Sequence, residues 1–599
     1  MRRSRNIAPW LWGFLIATLL FGALLLFASY QYIGSDDAPI LRSFMGYDGG
    51  VPATFNLYLH TAFAWLLYAL AMLAPGVAWF SILQLFLLWF SQVVIVKSLV
   101  QLARRRGWPL WTGALAGAAL LAALTVYITC HISYTTTSAL CGAAAVAQLA
   151  SVDFTAPRRR SVIGPILGSA GLLLCSYCLR QISVLPPLCF WLLVLAVKLL
   201  TAYGRKKLSW KLAKPVFAGV LATGLLFGLF AGVRALDIRL NNAEDFLRWQ
   251  TARIRLYDYT HFGDTTTDET LQKVGWSRNE FTLATYWYFM DDNITAEAFD
   301  TLMAQQIADE SRLTLSDRLS AAWSVIDNCM SENTAMRYGM YAALAMGLAA
   351  TFLLLRRRAA VWELLGVLLA VLGGGLLIGY LAYTGRLPMR AAMSVLLPAT
   401  ATLYASFFGL APAPQPQPAL DTPPAAPVKT AAGDATALLL WVLTAASLAV
   451  CLWLTVTAVR ITAPTIRPLT DEESNYSTVN TTDLDQYALE NPDKLFFCDL
   501  SLANDYRLFP DTSKGIPNNV MYWGGYPARS PSWYRMLHNF GITELNASIF
   551  LRDDVLIAST DAEPWQCFMG YMQEQVGDDV DWDFYDTYGY LFFFQIYQT

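Results

Sequence analysis

Along most of this chain, apolar residues come in unbroken runs as long as a bilayer is thick, separated by short polar breaks. Runs at 9–33, 77–102, 108–130, 133–152, 162–179, 184–200, 215–236, 338–355, 361–383, 391–410 and 437–459 each predict a helix crossing hydrocarbon with its backbone bonds closed internally. A further run at 53–74 carries Asn56 and His60, begins beside an acidic loop and ends at Pro75-Gly76. It reads as a juxtamembrane helix lying on or dipping into the outer leaflet. Reading it instead as a true span would reverse every later crossing.

Two long stretches follow other rules. Residues 237–336 mix aromatic and acidic positions at helical spacing, with a helix start after Asn293 in DDNITAEAF, and predict a small helical unit. Residues 460–599 alternate strand-like and helical segments. KLFFCDLSL and GYLFFFQIY read as strands, and SPSWYRMLHNFG and PWQCFMGYMQEQV as helices. ASIFLRDDVLIAS reads as a hairpin turning at Arg552-Asp553-Asp554, and YWGGYPARSPSW as an aromatic core with a tight turn or a surface that stacks on sugar rings.

Charge orients the runs. Arg104-Arg105-Arg106, Arg158-Arg159-Arg160, Arg205-Lys206-Lys207 and Arg356-Arg357-Arg358 mark cytoplasmic loops, and Arg2, Arg3 and Arg5 hold the N-terminus inside. An even number of crossings between such loops requires that 53–74 not cross, which leaves about eleven spans. The first run is longer than a signal peptide's core and lacks a small-residue cleavage site, so it reads as a retained helix.

The division that follows has six parts. They are a membrane core at 1–236, an extracytoplasmic helical loop at 237–336, further spans at 337–410, a stiff Pro/Ala-rich cytoplasmic linker at 411–436, a last span at 437–459, and an extracytoplasmic α/β unit at 460–599. The fold class is a polytopic α-helical membrane protein of the plasma membrane with two extracytoplasmic additions.

Composition agrees. The chain is 55% hydrophobic and only 15% charged, where soluble domains carry about 25% charged residues. A net charge of -3 offers no basic field for nucleic acid. The four histidines are scattered without metal-ligand spacing. Cys175 and Cys178 lie inside an apolar run, where that spacing only shares a helix face, and a Cys498–Cys567 bridge is open.

Candidate chemistry collects at the outer ends of the runs. The first loop, YIGSDDAPILRSFMGYDGG, sets Asp36 beside Asp37, with Asp48 following. Arg180, Arg234, Arg386 and Arg390 sit at later outer boundaries, where cytoplasmic attraction does not explain them. Guanidinium forks grip phosphate through two hydrogen bonds. A carboxylate accepts a proton from an attacking hydroxyl or holds a divalent cation against a phosphate. Asp36 and Asp37 are the candidate catalytic pair; Arg180, Arg386, Arg390, Asp48 and His60 are candidate substrate ligands. The plainer alternatives are that the acids cap the helix beginning near Ala38-Pro39 and the arginines snorkel to lipid headgroups.

A first helix, an acidic pair just beyond its outer end, a juxtamembrane apolar helix and then the second span together resemble the GT-C glycosyltransferase superfamily. The resemblance covers the membrane part by layout and the first loop by motif. It implies that an acid of the first outer loop is catalytic, with Asp36 and Asp37 at the matching positions and Asp37, nearer the following helix, the favoured base. It implies a polyprenyl-phosphate-linked sugar as donor, membrane lipid around it and an extracytoplasmic envelope glycan or other acceptor. A divalent metal (Mg or Mn) is left open, because the second outer loop, CHISYTTTS, has His131 where several members carry an acid. The leading expectation is a membrane glycosyltransferase. Its rivals are a lipid or polysaccharide transporter or flippase, opposed by the lack of an evident inverted repeat and by the sparse charges within spans, and a non-catalytic envelope scaffold.

Overall fold

The computed structural model describes residues 4–33, 36–154, 160–204, 210–259, 262, 266–310, 314–357, 361–409, 431–466, 471–498, 502, 506–525 and 527–599. The linker up to residue 430 lies outside them, as do Arg2-Arg3, Arg158-Arg159, Arg205-Lys206-Lys207 and Arg358.

The first third contains α1 (Ser4–Phe27), α2 (Asp37–Met45), α3 (Thr61–Leu73), α4 (Trp79–Arg105), α5 (Leu110–Leu124), α6 (Val126–Cys130), α7 (Tyr134–Ala150), α8 (Arg160–Leu179), α9 (Leu185–Gly204) and α10 (Trp210–Leu240). A helical insertion follows: α11 (Glu244–Tyr259), α12 (Asp268–Val274), α13 (Arg278–Thr285), α14 (Ala296–Glu310) and α15 (Leu315–Glu332). Then come α16 (Thr334–Arg356), α17 (Val361–Tyr383), α18 (Met389–Gly409), α19 (Ala431–Thr465), α20 (Asp471–Glu490), α21 (Pro531–Asn539) and α22 (Gln566–Val576). The strands are β1 (Gln31–Tyr32), β2 (His131–Ile132), β3 (Leu495–Cys498), β4 (Val520–Tyr522), β5 (Val555–Ser559), β6 (Val580–Tyr588) and β7 (Leu591–Gln598).

Among the described residues nine helical segments are long and apolar enough to cross a membrane: α1, α4, α8, the segment 182–204 that holds α9, α10, α16, α17, α18 and α19. The chain is a polytopic α-helical membrane protein with a C-terminal sheet. Two runs expected to span are not in that set. The run at 108–130 divides into α5 and α6 at Thr125, whose hydroxyl donates back to the Leu121 carbonyl at 2.7 Å. The run at 133–152 forms the 17-residue α7, which carries the polar YTTTS turn and Gln148.

Burial orders the bundle. Every residue of α7 is buried and α18 is 89% buried, whereas α1, α10 and α19 are only 22%, 17% and 22% buried. So α7 and α18 form the centre, and the apolar faces of the others meet lipid. Small residues on α7 permit this: a Cβ on Gly142 would lie 2.4 Å from the Pro187 side chain of α9.

One end of the bundle gathers the ends of α1, α8 and α10 with the starts of α4, α7 and α18. Tyr32 and Ser81 hydroxyls lie 2.7 Å apart, β1 pairs in parallel with β2, and Thr61 donates to Asp237 of α10 at 2.7 Å. The segment holding α3 begins and ends there too: the His60 N–H bonds to the Cys178 carbonyl at the close of α8, and Gly76 accepts from Thr512.

The helical insertion and the C-terminal sheet pack on that same end and share one core, in which Trp249, Tyr288 and Phe289 meet Trp523, Phe550, Phe568 and Tyr571. The sheet order is β4-β3-β5-β7-β6, parallel across β4, β3 and β5 and antiparallel from β5 through β7 to β6. The hairpin expected at 547–559 is not formed: Ala547–Leu551 is a 3-10 turn leading into β5, and the hairpin is β6–β7. Trp523 and Trp533 of YWGGYPARSPSW fill core, with Gly524 pressed against the Trp287 carbonyl where a Cβ would not fit. Cys498 and Cys567 are free thiols.

Candidate functional site

The site is built where α2, α7 and α18 converge. Asp36 precedes α2 without making a side-chain cap bond to it. Asp37 is fully buried, and its Oδ1 accepts from the Tyr134 backbone N–H at 2.9 Å and from Gln84 Nε2 at 3.4 Å. Tyr134 is the first residue of α7, so Asp37 serves the N-terminus of another helix rather than its own. Gln84 is aligned in turn by Thr137, which donates to its Oε1 at 3.3 Å. The second oxygen, Asp37 Oδ2, is buried and makes no hydrogen bond of good geometry, although the Ser133 side chain lies close enough to favour the ionised carboxyl.

Burial lifts the Asp37 carboxyl from 3.8 to about 7. The Tyr134 N–H, Arg390 and the Ser133 side chain pull the other way, while Asp36 pushes it further up. Asp36 itself is paired: its Oδ2 lies 3.2 Å from Arg390 Nη1 and accepts from the Tyr134 hydroxyl at 3.5 Å. Its side chain is 19% exposed, against none of Asp37.

Arg180 joins the cluster from the end of α8. It donates to Thr135 Oγ1, with its guanidinium 5.3 Å from the Tyr134 ring and 5.9 Å from the Tyr58 ring. The Tyr58 and Tyr134 rings stack at 5.5 Å. Burial first, then Asp36, pushes the Tyr58 phenol up to about 12; Arg253 and Arg180 oppose that, and Asp258 adds to it. These residues therefore surround one polar spot.

The sequence candidates divide accordingly. Asp36, Asp37, Arg180 and Arg390 come together. Arg386 is one shell out, ion-paired with Asp258 at the end of α11. Asp48 and His60 are engaged elsewhere. Asp48 accepts from Ser532 at 3.4 Å, its carbonyl accepts from Arg535 at 3.2 Å, and burial raises its carboxyl. His60 starts α3, with Nδ1 accepting from the Ala62 N–H and Nε2 2.9 Å from the Phe230 carbonyl. Asp291 and Asp292 of the insertion bind Tyr571 and the Leu545 N–H, tying it to the sheet.

Three contributors were not singled out from sequence. Tyr58 and Gln84 lie in apolar runs, where one polar residue carries little signal. Arg253, only 2% exposed, donates from Nε to Gln250 at 2.8 Å and lies 4.8 Å from the Trp287 ring. Trp287 holds a positive φ of 66°, a conformation costly for a bulky residue. The available signal was RWQTARIRLYDY, where Arg253 recurs at helical spacing with the buried Trp249 and Leu256.

Among the described residues no three His, Cys, Asp or Glu side chains are grouped to hold a metal ion. His131 pairs opposite Gln31 and stacks on Tyr127 at 4.3 Å. Two carboxylates alone are a donor set that Mg completes only with substrate phosphates and water, so no step below runs through a metal.

No family model matches the sequence, and no curated protein matches it. Two solved structures are similar along its length. The crystal structure of ArnT from Cupriavidus metallidurans in the apo state has 10% identity and a TM-score of 0.37, covering 100% of this chain and 98% of that one. The same protein bound to undecaprenyl phosphate has 11% identity and a TM-score of 0.35, covering 97% and 96%.

Proposed function

We propose that this chain is a membrane glycosyltransferase that moves a sugar from a polyprenyl-phosphate carrier to an acceptor on the cell envelope, outside the cytoplasm. The observation that carries the reading is Asp37: a wholly buried carboxyl with one oxygen fixed by α7 and Gln84 and the other without a hydrogen bond of good geometry, beside the Asp36–Arg390 pair. A purely structural acid would satisfy both oxygens. A carboxyl lifted to about 7 exchanges protons at working pH.

In this reading the acid pair orients the acceptor hydroxyl and takes its proton, with Asp36 the exposed member and Asp37 the buried reservoir. The acceptor oxygen bonds to the anomeric carbon as the bond from that carbon to the carrier phosphate breaks. Negative charge grows on the departing phosphate, and Arg180 and Arg390 stabilise it from fixed positions. Tyr58, half-buried and stacked on the wholly buried Tyr134, is the ring of this cluster placed for a sugar to pack against.

The test is the surface glycan profile of the native host, compared intact, deleted, and complemented with the Asp36→Asn/Asp37→Asn double variant at matched expression. The proposal expects deletion to remove a sugar and the double variant to leave it missing. A wild-type profile from the double variant would reduce the acids to scaffolding.

A further inference from the structure

A cavity with charged lining lies at the opposite end of the same central helices. α7 begins at Tyr134, beside Asp37, and runs 17 residues, about 25 Å, to Ala150, which lines this cavity with the following Val152. α18 begins beside Asp36 at Arg390 and arrives there at Ser406 and Gly409. The cavity measures about 390 Å³, within the range of small-ligand sites.

Its lining interleaves opposite charges. Lys198 and Arg105 bring two cations, and Asp153 and Glu363 two carboxylates. Lys198 gives one N–H to the Ala150 carbonyl at 2.6 Å, and its ammonium lies 5.3 Å from the Phe154 ring. An ammonium has three N–H donors. The hydroxyl of Thr201, also lining the cavity, is buried with no partner. Ionisable groups brought into a membrane bundle are costly unless paired, and here Arg105 lies in the field of Asp153 and Lys198 in that of Asp153 and Glu363.

Apart from Thr201, Thr402 and Ser406, the rest of the wall is apolar. Leu193, Val194 and Val197 of α9 line it together with Leu354 and Gly366, and Val197 packs directly on Gly366. The segment holding α9 is only 39% buried and α17 only 28% buried, and both turn exposed leucines outward. An amphiphile with a head of both charges and apolar chains fits this combination.

We propose that the cavity binds a zwitterionic phospholipid bearing a primary ammonium, its phosphate held by Lys198 and Arg105 and its ammonium by Asp153 and Glu363. A primary ammonium donates hydrogen bonds to both carboxylates, whereas a quaternary one has none to give. The inference is independent of the chemistry proposed at Asp37.

The test uses the full chain, purified in detergent, stripped of lipid and offered an equal mixture of phosphatidylethanolamine, phosphatidylcholine and phosphatidylglycerol with matched acyl chains. Native mass spectrometry reads which lipid is retained. The expected result is preferential retention of phosphatidylethanolamine, falling about tenfold or more in Lys198→Met and in Glu363→Gln, the size of one charge-assisted hydrogen bond. Equal retention of the three lipids by the unsubstituted chain overturns the proposal without recourse to any variant. So does unchanged retention in a folded Lys198→Met or Glu363→Gln protein.

Discussion

The two oxygens of Asp37 have different fates, and a pH dependence follows. Burial lifts this carboxyl to about 7, so below that pH it is mostly protonated and cannot accept a proton. Transfer should rise as pH passes through about 7 and then level. Asp36 is one of the groups that raise Asp37, so Asp36→Asn should move this limb to lower pH while reducing the maximal rate. A limb that stays near 7 in Asp36→Asn would contradict the coupling. Stability runs the opposite way. The folded protein holds this proton more tightly than the unfolded chain, whose carboxyl titrates near 3.8. Rising pH between about 4 and about 7 therefore lowers stability, which is flat above. Melting curves of Asp37→Asn should lack that decline.

At the scale of elements, α2 has nine residues, too few to persist alone, and is held by its neighbours. Asp37 fastens its start to α7. Arg42 fastens its other end through a two-bond pair to Asp485 of α20, at 2.9 and 2.7 Å, with its guanidinium 3.8 Å from the Tyr47 ring. Gly46 closes the helix in the left-handed region at φ 97°, and Gly49, at φ 81°, lets the loop lie against Met536. Removing one partner of a buried pair costs about 3–5 kcal/mol. Arg42→Met and Asp485→Asn should each lower the melting temperature clearly, and exchanging the two residues should recover part of the loss. An unchanged melting temperature in Arg42→Met would show that α2 is not held this way.

Much of this was visible in sequence and some was not, for physical reasons. Spans were legible because hydropathy and basic clusters are properties of about twenty residues at a time. The meeting of Asp36, Asp37, Arg180 and Arg390 was legible because helix ends on one side of a membrane are neighbours. The employment of Asp48 was not, since its partner Ser532 lies 484 positions away. Nor was that of Arg253, which lies against the ring of Trp287 on a different element. The division of 108–130 into α5 and α6 was hidden because Thr125 breaks the helix without breaking the apolar run.

At the scale of the molecule, one end of the bundle carries the acid pair, the helical insertion and the sheet, and the other carries Arg104, Arg105 and the cavity with charged lining. Basic residues stay in the cytoplasm, so the end with Asp37 is expected outside. Ser513→Cys, in an exposed loop of the sheet unit, should react with a membrane-impermeant maleimide in intact cells. Labelling only after the membrane is opened would reverse the orientation.

The most direct measurement is the release of carrier phosphate by the purified protein. Membranes from a host lacking it would supply donor and acceptor together, and the unsubstituted chain would be compared with Asp37→Asn at equal folded concentration. The account predicts release by the former and a loss of about 10²–10⁴-fold in the latter, the usual contribution of a positioned proton acceptor. Equal release by both proteins would contradict it.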